Sequence, residues 1–65
     1  MNAHIYSILL RSSRPLSIKQ IIEELSKTYY LIAEYNEVYR YLHKLLGGVY
    51  NKIPCGKRRY VYEIK

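Results

Sequence analysis

Sixty-five residues with a net charge of +6, nine tyrosines, one cysteine and neither tryptophan nor phenylalanine set the limits on this chain. That length predicts one domain over residues 1–65, burying only about 60% of the surface its unfolded form exposes. No stretch approaches the roughly 20 apolar residues that span a bilayer, no export leader is expected, and a lone cysteine fits a reducing intracellular compartment because it closes no internal disulfide.

In chain order, residues 3–12 are predicted as the first helix, with Ile5, Ile8 and Leu9 on one face and Tyr6 and Leu10 flanking it. The run Ser12-Ser13-Arg14-Pro15 stops it, since the residue before a proline avoids the helical region. Arg14-Pro15-Leu16 can then pair as a short extended strand with a later hairpin. Residues 17–28 carry the clearest helix start: Ser17 as N-cap and Gln20 three residues on make a capping box, and Leu16 and Ile21 occupy hydrophobic-staple positions. Ile18, Ile21, Ile22 and Leu25 form the buried stripe, extended by Tyr29, while Glu23, Glu24 and Lys27 face water.

A turn near Tyr29-Tyr30 leads to a third helix over residues 32–46, where Tyr35, Val38, Leu42 and Leu45 recur at helical spacing. With Val38 and Leu42 inward, steps of about 100° turn Ala33, Asn36, Glu37, Arg40, His43 and Lys44 outward and leave Tyr39 and Tyr41 on the flanks. Gly47-Gly48 stops this helix. Two alternating segments, 49–53 and 58–64, follow around a Pro54-Cys55-Gly56 turn, in which Cys55 reads as a small turn residue. Tyr60, Tyr62 and Ile64 form the expected core face of the second segment, opposite Arg59, Val61 and Glu63. Val49 and either Asn51 or Ile53, depending on register, are expected to meet them from the partner strand. Lys52, Lys57, Arg58, Arg59 and Lys65 stand against Glu63 alone, so +4 of the net +6 lies in residues 49–65. Such an excess points to a polyanionic partner; the plain alternative is a solvated face.

The order helix, capped helix, turn, helix, Gly-Gly, basic hairpin resembles the winged helix-turn-helix family. Residues 37–50, from Glu37-Val38-Tyr39-Arg40 through Leu42, Leu45 and Gly47-Gly48 to Val49-Tyr50, are similar to that family's recognition helix and the opening of its wing. Tyr60-x-Tyr62-x-Ile64 is similar to the closing wing strand, and residues 16–21 to the entry of the second helix. The turn before the third helix is longer than common versions and lacks their frequent Gly, and Glu34 and Glu37 stand near that helix's start. The resemblance implies an α+β fold of three helices and a two-stranded wing spanning residues 49–64. It also implies double-stranded DNA as partner, with the third helix in the major groove and the wing on backbone or minor groove, as in a transcription regulator.

Under that reading, roles follow side-chain chemistry. Arg40 can meet guanine bidentately, Asn36 adenine, Glu37 a cytosine amino group and Ala33 a thymine methyl. His43 and Lys44 suit phosphates. Lys52, Lys57, Arg58 and Arg59 form the wing set, where an arginine can also enter a narrow minor groove. Ser17 and Lys19 open the second helix, whose N-terminal amides suit a phosphate. Tyr35, Tyr60 and Tyr62 are expected in the core; Tyr39, Tyr41 and Tyr50 are open. Exposed tyrosines beside cations can stack on unpaired bases, as in single-stranded nucleic-acid or RNA binding, or anchor a protein partner in an assembly module. A homodimer reading two half-sites would use the first helix or exposed aromatics, since no long extra helix is present at either end. Catalysis is not expected: His4, His43 and Cys55 fall in three elements, His4 and His43 read as surface or boundary residues, and no Gly-rich phosphate loop or paired-carboxylate motif occurs. Nor do they make a zinc pattern, so no cofactor, metal or small-molecule ligand is expected.

Overall fold

Three helices, α1 (Asn2–Arg11), α2 (Ile18–Tyr29) and α3 (Tyr35–Leu45), precede an antiparallel pair, β1 (Tyr50–Gly56) and β2 (Arg59–Ile64), in the computed structural model. The α+β layout matches a winged helix. The structure describes residues 2–45 and 50–64. The Gly47-Gly48 stop, the end of the third helix at Leu46, the inward reading of the Leu45 side chain, and the assignments of Val49 and Lys65 lie outside the described residues.

α1 buries Ile5, Ile8 and Leu9 and ends where the Ser12 N–H donates to the Ile8 carbonyl at 3.1 Å. The Ser12 hydroxyl then turns to the Arg14 backbone, unwinding the chain ahead of Pro15. His4 is half-buried against the Tyr29 ring, centroids 4.4 Å apart. Arg11 donates to the Tyr29 hydroxyl at 2.9 Å, a second tie between α1 and the end of α2.

Both arms of the predicted capping box are made: Gln20 N–H donates to Ser17 Oγ at 3.2 Å, and Ser17 N–H to Gln20 Oε1 at 2.9 Å. Two otherwise orphaned amides are satisfied, and removing the Ser17 hydroxyl costs ~1 kcal/mol. α2 stops because Tyr30 adopts a left-handed conformation, φ 55 and ψ 34, with its N–H directed at the Leu25 carbonyl. Glycine usually fills such a position; another residue is strained by roughly 1–2 kcal/mol. The Tyr30 side chain is 89% exposed and loses little if removed. Tyr30→Gly is therefore expected to raise the melting temperature by about 2–6 °C, the strain relieved less the extra unfolded-state entropy of glycine; a lowered melting temperature would show that the ring packs.

The third helix starts at Tyr35, three residues later than its periodicity predicted. Residues 31–34 are a non-helical connection that dips its small side chain inward: Ala33 is buried while Ile32 is almost fully exposed. Glu34 ends this connection as the cap. Its carbonyl accepts the first helical bond, from Val38 N–H at 3.2 Å, and Glu37 Oε1 accepts from Glu34 N–H at 3.4 Å. Below, α3 buries Val38 and Leu42 completely.

The hairpin register pairs Tyr50 with Ile64, Lys52 with Tyr62 and Pro54 with Tyr60. Those six residues share one face, and the buried residue of β1 is Tyr50, not Asn51 or Ile53 as the alternation suggested. The expected Pro54-Cys55-Gly56 turn belongs to β1 instead. A register shift between Pro54 and Gly56 leaves Cys55 as the extra, exposed residue, and the turn is Lys57-Arg58. Gly56 has φ 154, open to glycine alone without strain, and Arg58 turns the tip at φ 56. The short strand expected before α2 is present as a bridge from Leu16 to Tyr62, with N–H to O distances of 2.9 and 2.7 Å. One apolar cluster joins α1, α2, α3 and both strands, with Tyr50 and Tyr62 as its sheet contribution. Among the described residues, no helix is long and apolar enough to cross a membrane.

Candidate nucleic-acid interface

Beyond Tyr62, the inner face of the sheet leaves the core. Its next residues toward the tip, Lys52 and Tyr60, line an open cleft of about 860 Å³ between the start of α2, the side of α3 and the hairpin. The Leu16–Tyr62 bridge holds the hairpin beside the capped N-terminus of α2, which brings Ser17, Lys19 and Gln20 to the same cleft. Lys19, Lys52, Arg58 and Arg59 are exposed there, against Glu23 as the one carboxylate in the lining. Like charges gathered along a concave wall focus a positive potential and draw in polyanions. The Ser17 hydroxyl accepts the Gln20 amide and keeps its own hydrogen for an outside acceptor.

The outward side of α3 continues this surface. Asn36, Glu37, Arg40, His43 and Lys44 are exposed. Arg40, His43 and Lys44 border a second shallow concavity with Tyr39, and Tyr39 also lines the cleft. Arg40 itself borders the α3 concavity and does not line the cleft. Glu37 is engaged in capping its own helix, where its charge suits the positive end of the helix dipole. Lys57 is exposed at the hairpin tip.

Three assignments change. Ala33 is 7% exposed and sits in the connection ahead of α3, so its methyl packs in the core and cannot meet a thymine. Tyr35 and Tyr60, expected in the core, are 58% and 42% exposed and line the cleft. Tyr35 opens its helix and Tyr60 is the second residue of its strand, both beyond the reach of the apolar cluster, and that end position was the available signal. Lys52 explains part of the Tyr60 placement, its ammonium lying 4.2 Å from the ring centroid.

The tyrosines underneath are chemically distinct. Burial, and then the neighbouring Tyr35, Tyr39 and Tyr60, push the Tyr62 phenol above its ordinary value. Burial and then Tyr41 push Tyr50 up still further; its ring meets Tyr41 edge-on at 6.0 Å. Both phenols are neutral at physiological pH, as an unshifted tyrosine also is, and the shifts bear on alkaline conditions only. Among the described residues, no three of His, Cys, Asp and Glu come together to hold a metal ion. No protein-family model, curated protein or solved structure matches the chain.

Proposed function

We propose that the chain is a sequence-specific double-stranded DNA-binding protein that works as an intracellular transcription regulator. α3 enters the major groove, where Arg40 and Asn36 read base edges, and His43 and Lys44 meet the flanking backbone. Lys52, Lys57, Arg58 and Arg59 of the wing, with Ser17 and Lys19 at the start of α2, hold phosphates. Regulation follows from occupying a site and so excluding or recruiting other proteins. The observation that supports this reading is the continuity of one exposed surface, from Arg40 across Tyr39 into a cleft whose lining holds four cations and one carboxylate.

Duplex affinity measured against salt tests it. Each neutralised phosphate contributes about −0.9 to the slope of log K against log salt, so the lysines and arginines assigned to phosphates, Lys19, Lys44, Lys52, Lys57, Arg58 and Arg59, give a slope of about −5. A chain that binds no duplex at low salt is not a DNA-binding protein. Arg40→Ala is expected to change sequence preference, with ~1–3 kcal/mol lost at one base position, whereas Lys57→Ala weakens all duplexes alike and flattens the slope by about 1. Selection from randomised duplexes reads both, and an unchanged preference in Arg40→Ala would take α3 out of the groove.

A further inference from the structure

Duplex binding through α3 and the wing leaves three phenol rings of the cleft without a task. Tyr35, Tyr39 and Tyr60 are 58%, 40% and 42% exposed, and all three line the cationic cleft. The buried Tyr62 lines the same cleft with them. Two of the rings are held by a partner of their own. Tyr39 stacks on His43 at 5.7 Å with 13° between planes, and the Lys52 ammonium covers Tyr60. Rings held in place lose little freedom when a flat ligand settles on them.

Phosphates have no use for aromatic faces, and the bases of an intact duplex are stacked on one another. A ring set surrounded by lysine and arginine fits a ligand with both a flat apolar face and a negative backbone. A basic peptide would meet four cations and one carboxylate in the lining and be repelled. We propose that this cleft takes unpaired nucleotides of a DNA strand running on from the duplex held by α3, so that the preferred substrate is a duplex–single-strand junction. The bases stack on Tyr35, Tyr39 and Tyr60; Lys19, Lys52 and Arg59, which face the duplex backbone when no tail is present, hold the phosphates of the tail, and Lys44, Lys57 and Arg58 keep the duplex. The assignment rests on the duplex reading for the role of α3 and adds the substrate class; Tyr39, shared by the α3 concavity and the cleft, marks where the strand crosses.

Anisotropy titrations at one fixed salt concentration, with three labelled probes, test the proposal. The probes are a blunt duplex, the same duplex with a short oligothymidine tail on one strand, and the tail alone. The tailed duplex is expected to bind about tenfold or more tighter than the blunt one. Tyrosine emission, unmasked because the chain has no tryptophan, should be quenched further by the tailed probe than by the blunt one. Tyr35→Ser with Tyr60→Thr, two exposed positions, should erase the tail advantage and the extra quenching in a variant that still melts cooperatively. Arg40→Ala should weaken blunt and tailed probes equally and keep the advantage. Equal affinity for blunt and tailed duplexes overturns the junction assignment and leaves duplex binding intact, as does a full tail advantage in the tyrosine variant. A free tail bound as tightly as the tailed duplex removes the need for a junction and overturns it too. Binding to no probe overturns both readings.

Discussion

K52E/R59E is expected to lose duplex binding by at least 100-fold near physiological salt while keeping its cooperative thermal transition. Lys52 and Arg59 stand on opposite strands of the hairpin, both exposed and both lining the cleft. A charge-assisted bond to a phosphate contributes roughly 1.5–3 kcal/mol. Two such losses amount to about 3–6 kcal/mol, and each new carboxylate adds repulsion toward the backbone it replaces contact with. The fold has little reason to suffer. The lost contact is the exposed Lys52 cation over Tyr60, worth ~0.5–1 kcal/mol, and neither side chain belongs to the apolar cluster. Anisotropy with a duplex pool, run beside circular-dichroism melting, reads both effects. A folded variant that binds as tightly as the parent chain would remove the wing from the interface.

Tyr62→Ala is expected to cost ~3–5 kcal/mol of folding stability, about a third or more of what the chain has. The ring is 2% exposed and joins the apolar cluster; its backbone also carries the bridge to Leu16. Truncating a buried aromatic costs ~3–5 kcal/mol. A chain of this length has only about 3–10 kcal/mol in total, at roughly 0.05–0.15 kcal/mol per residue. The loss is thus a large share of the whole stability; the backbone bridge to Leu16 survives in alanine, so what is removed is the ring packing that seats the hairpin on the core. Urea unfolding followed by circular dichroism measures it, and a loss under 1 kcal/mol would mean that the hairpin docks through other residues.

The same phenol makes stability sensitive to alkali. Below the ordinary value of 10.0, Tyr62 is neutral folded and unfolded, and its contribution is fully present. Above that pH the unfolded chain ionises while the folded phenol, with its raised pKa, stays protonated. Protons are then released on unfolding, and stability falls as pH rises. Tyr50 acts in the same direction, and each phenol contributes at most about 1.4 kcal/mol per pH unit. Tyr62→Phe keeps the ring and should flatten this alkaline loss, as urea midpoints taken between neutrality and about pH 11 will register.

The elements of this protein are written in local chemistry, and local chemistry is legible. Ser17 and Gln20 lie three residues apart and satisfy each other's amides in any context that lets a helix begin, so the start of α2 could be read directly. Ile5, Ile8 and Leu9, and likewise Val38 and Leu42, mark helix faces because 3.6 residues per turn align them whatever they pack on. The Tyr30 turn, the Leu16 bridge and the concentration of cations in the hairpin were also visible.

Inside and outside at the ends of those elements were not. Alternation along a strand says which residues share a face, but not where the neighbouring helices cease to cover it. Tyr62 and Tyr60 therefore read alike, although one is core and the other lines a cleft. Ala33 looked like the first turn of a helix; its methyl is small enough to enter the core, and the cap falls on Glu34 instead. Tyr50 replaced Asn51 and Ile53 as the buried residue because hairpin register depends on a bulge at Cys55, which a Pro-Cys-Gly run does not announce. Periodicity and capping reside in neighbours along the chain and can be read from residues in order. Burial and the joining of distant cations into one cleft reside in neighbours through space, and those come into being only when the hairpin docks on the helices.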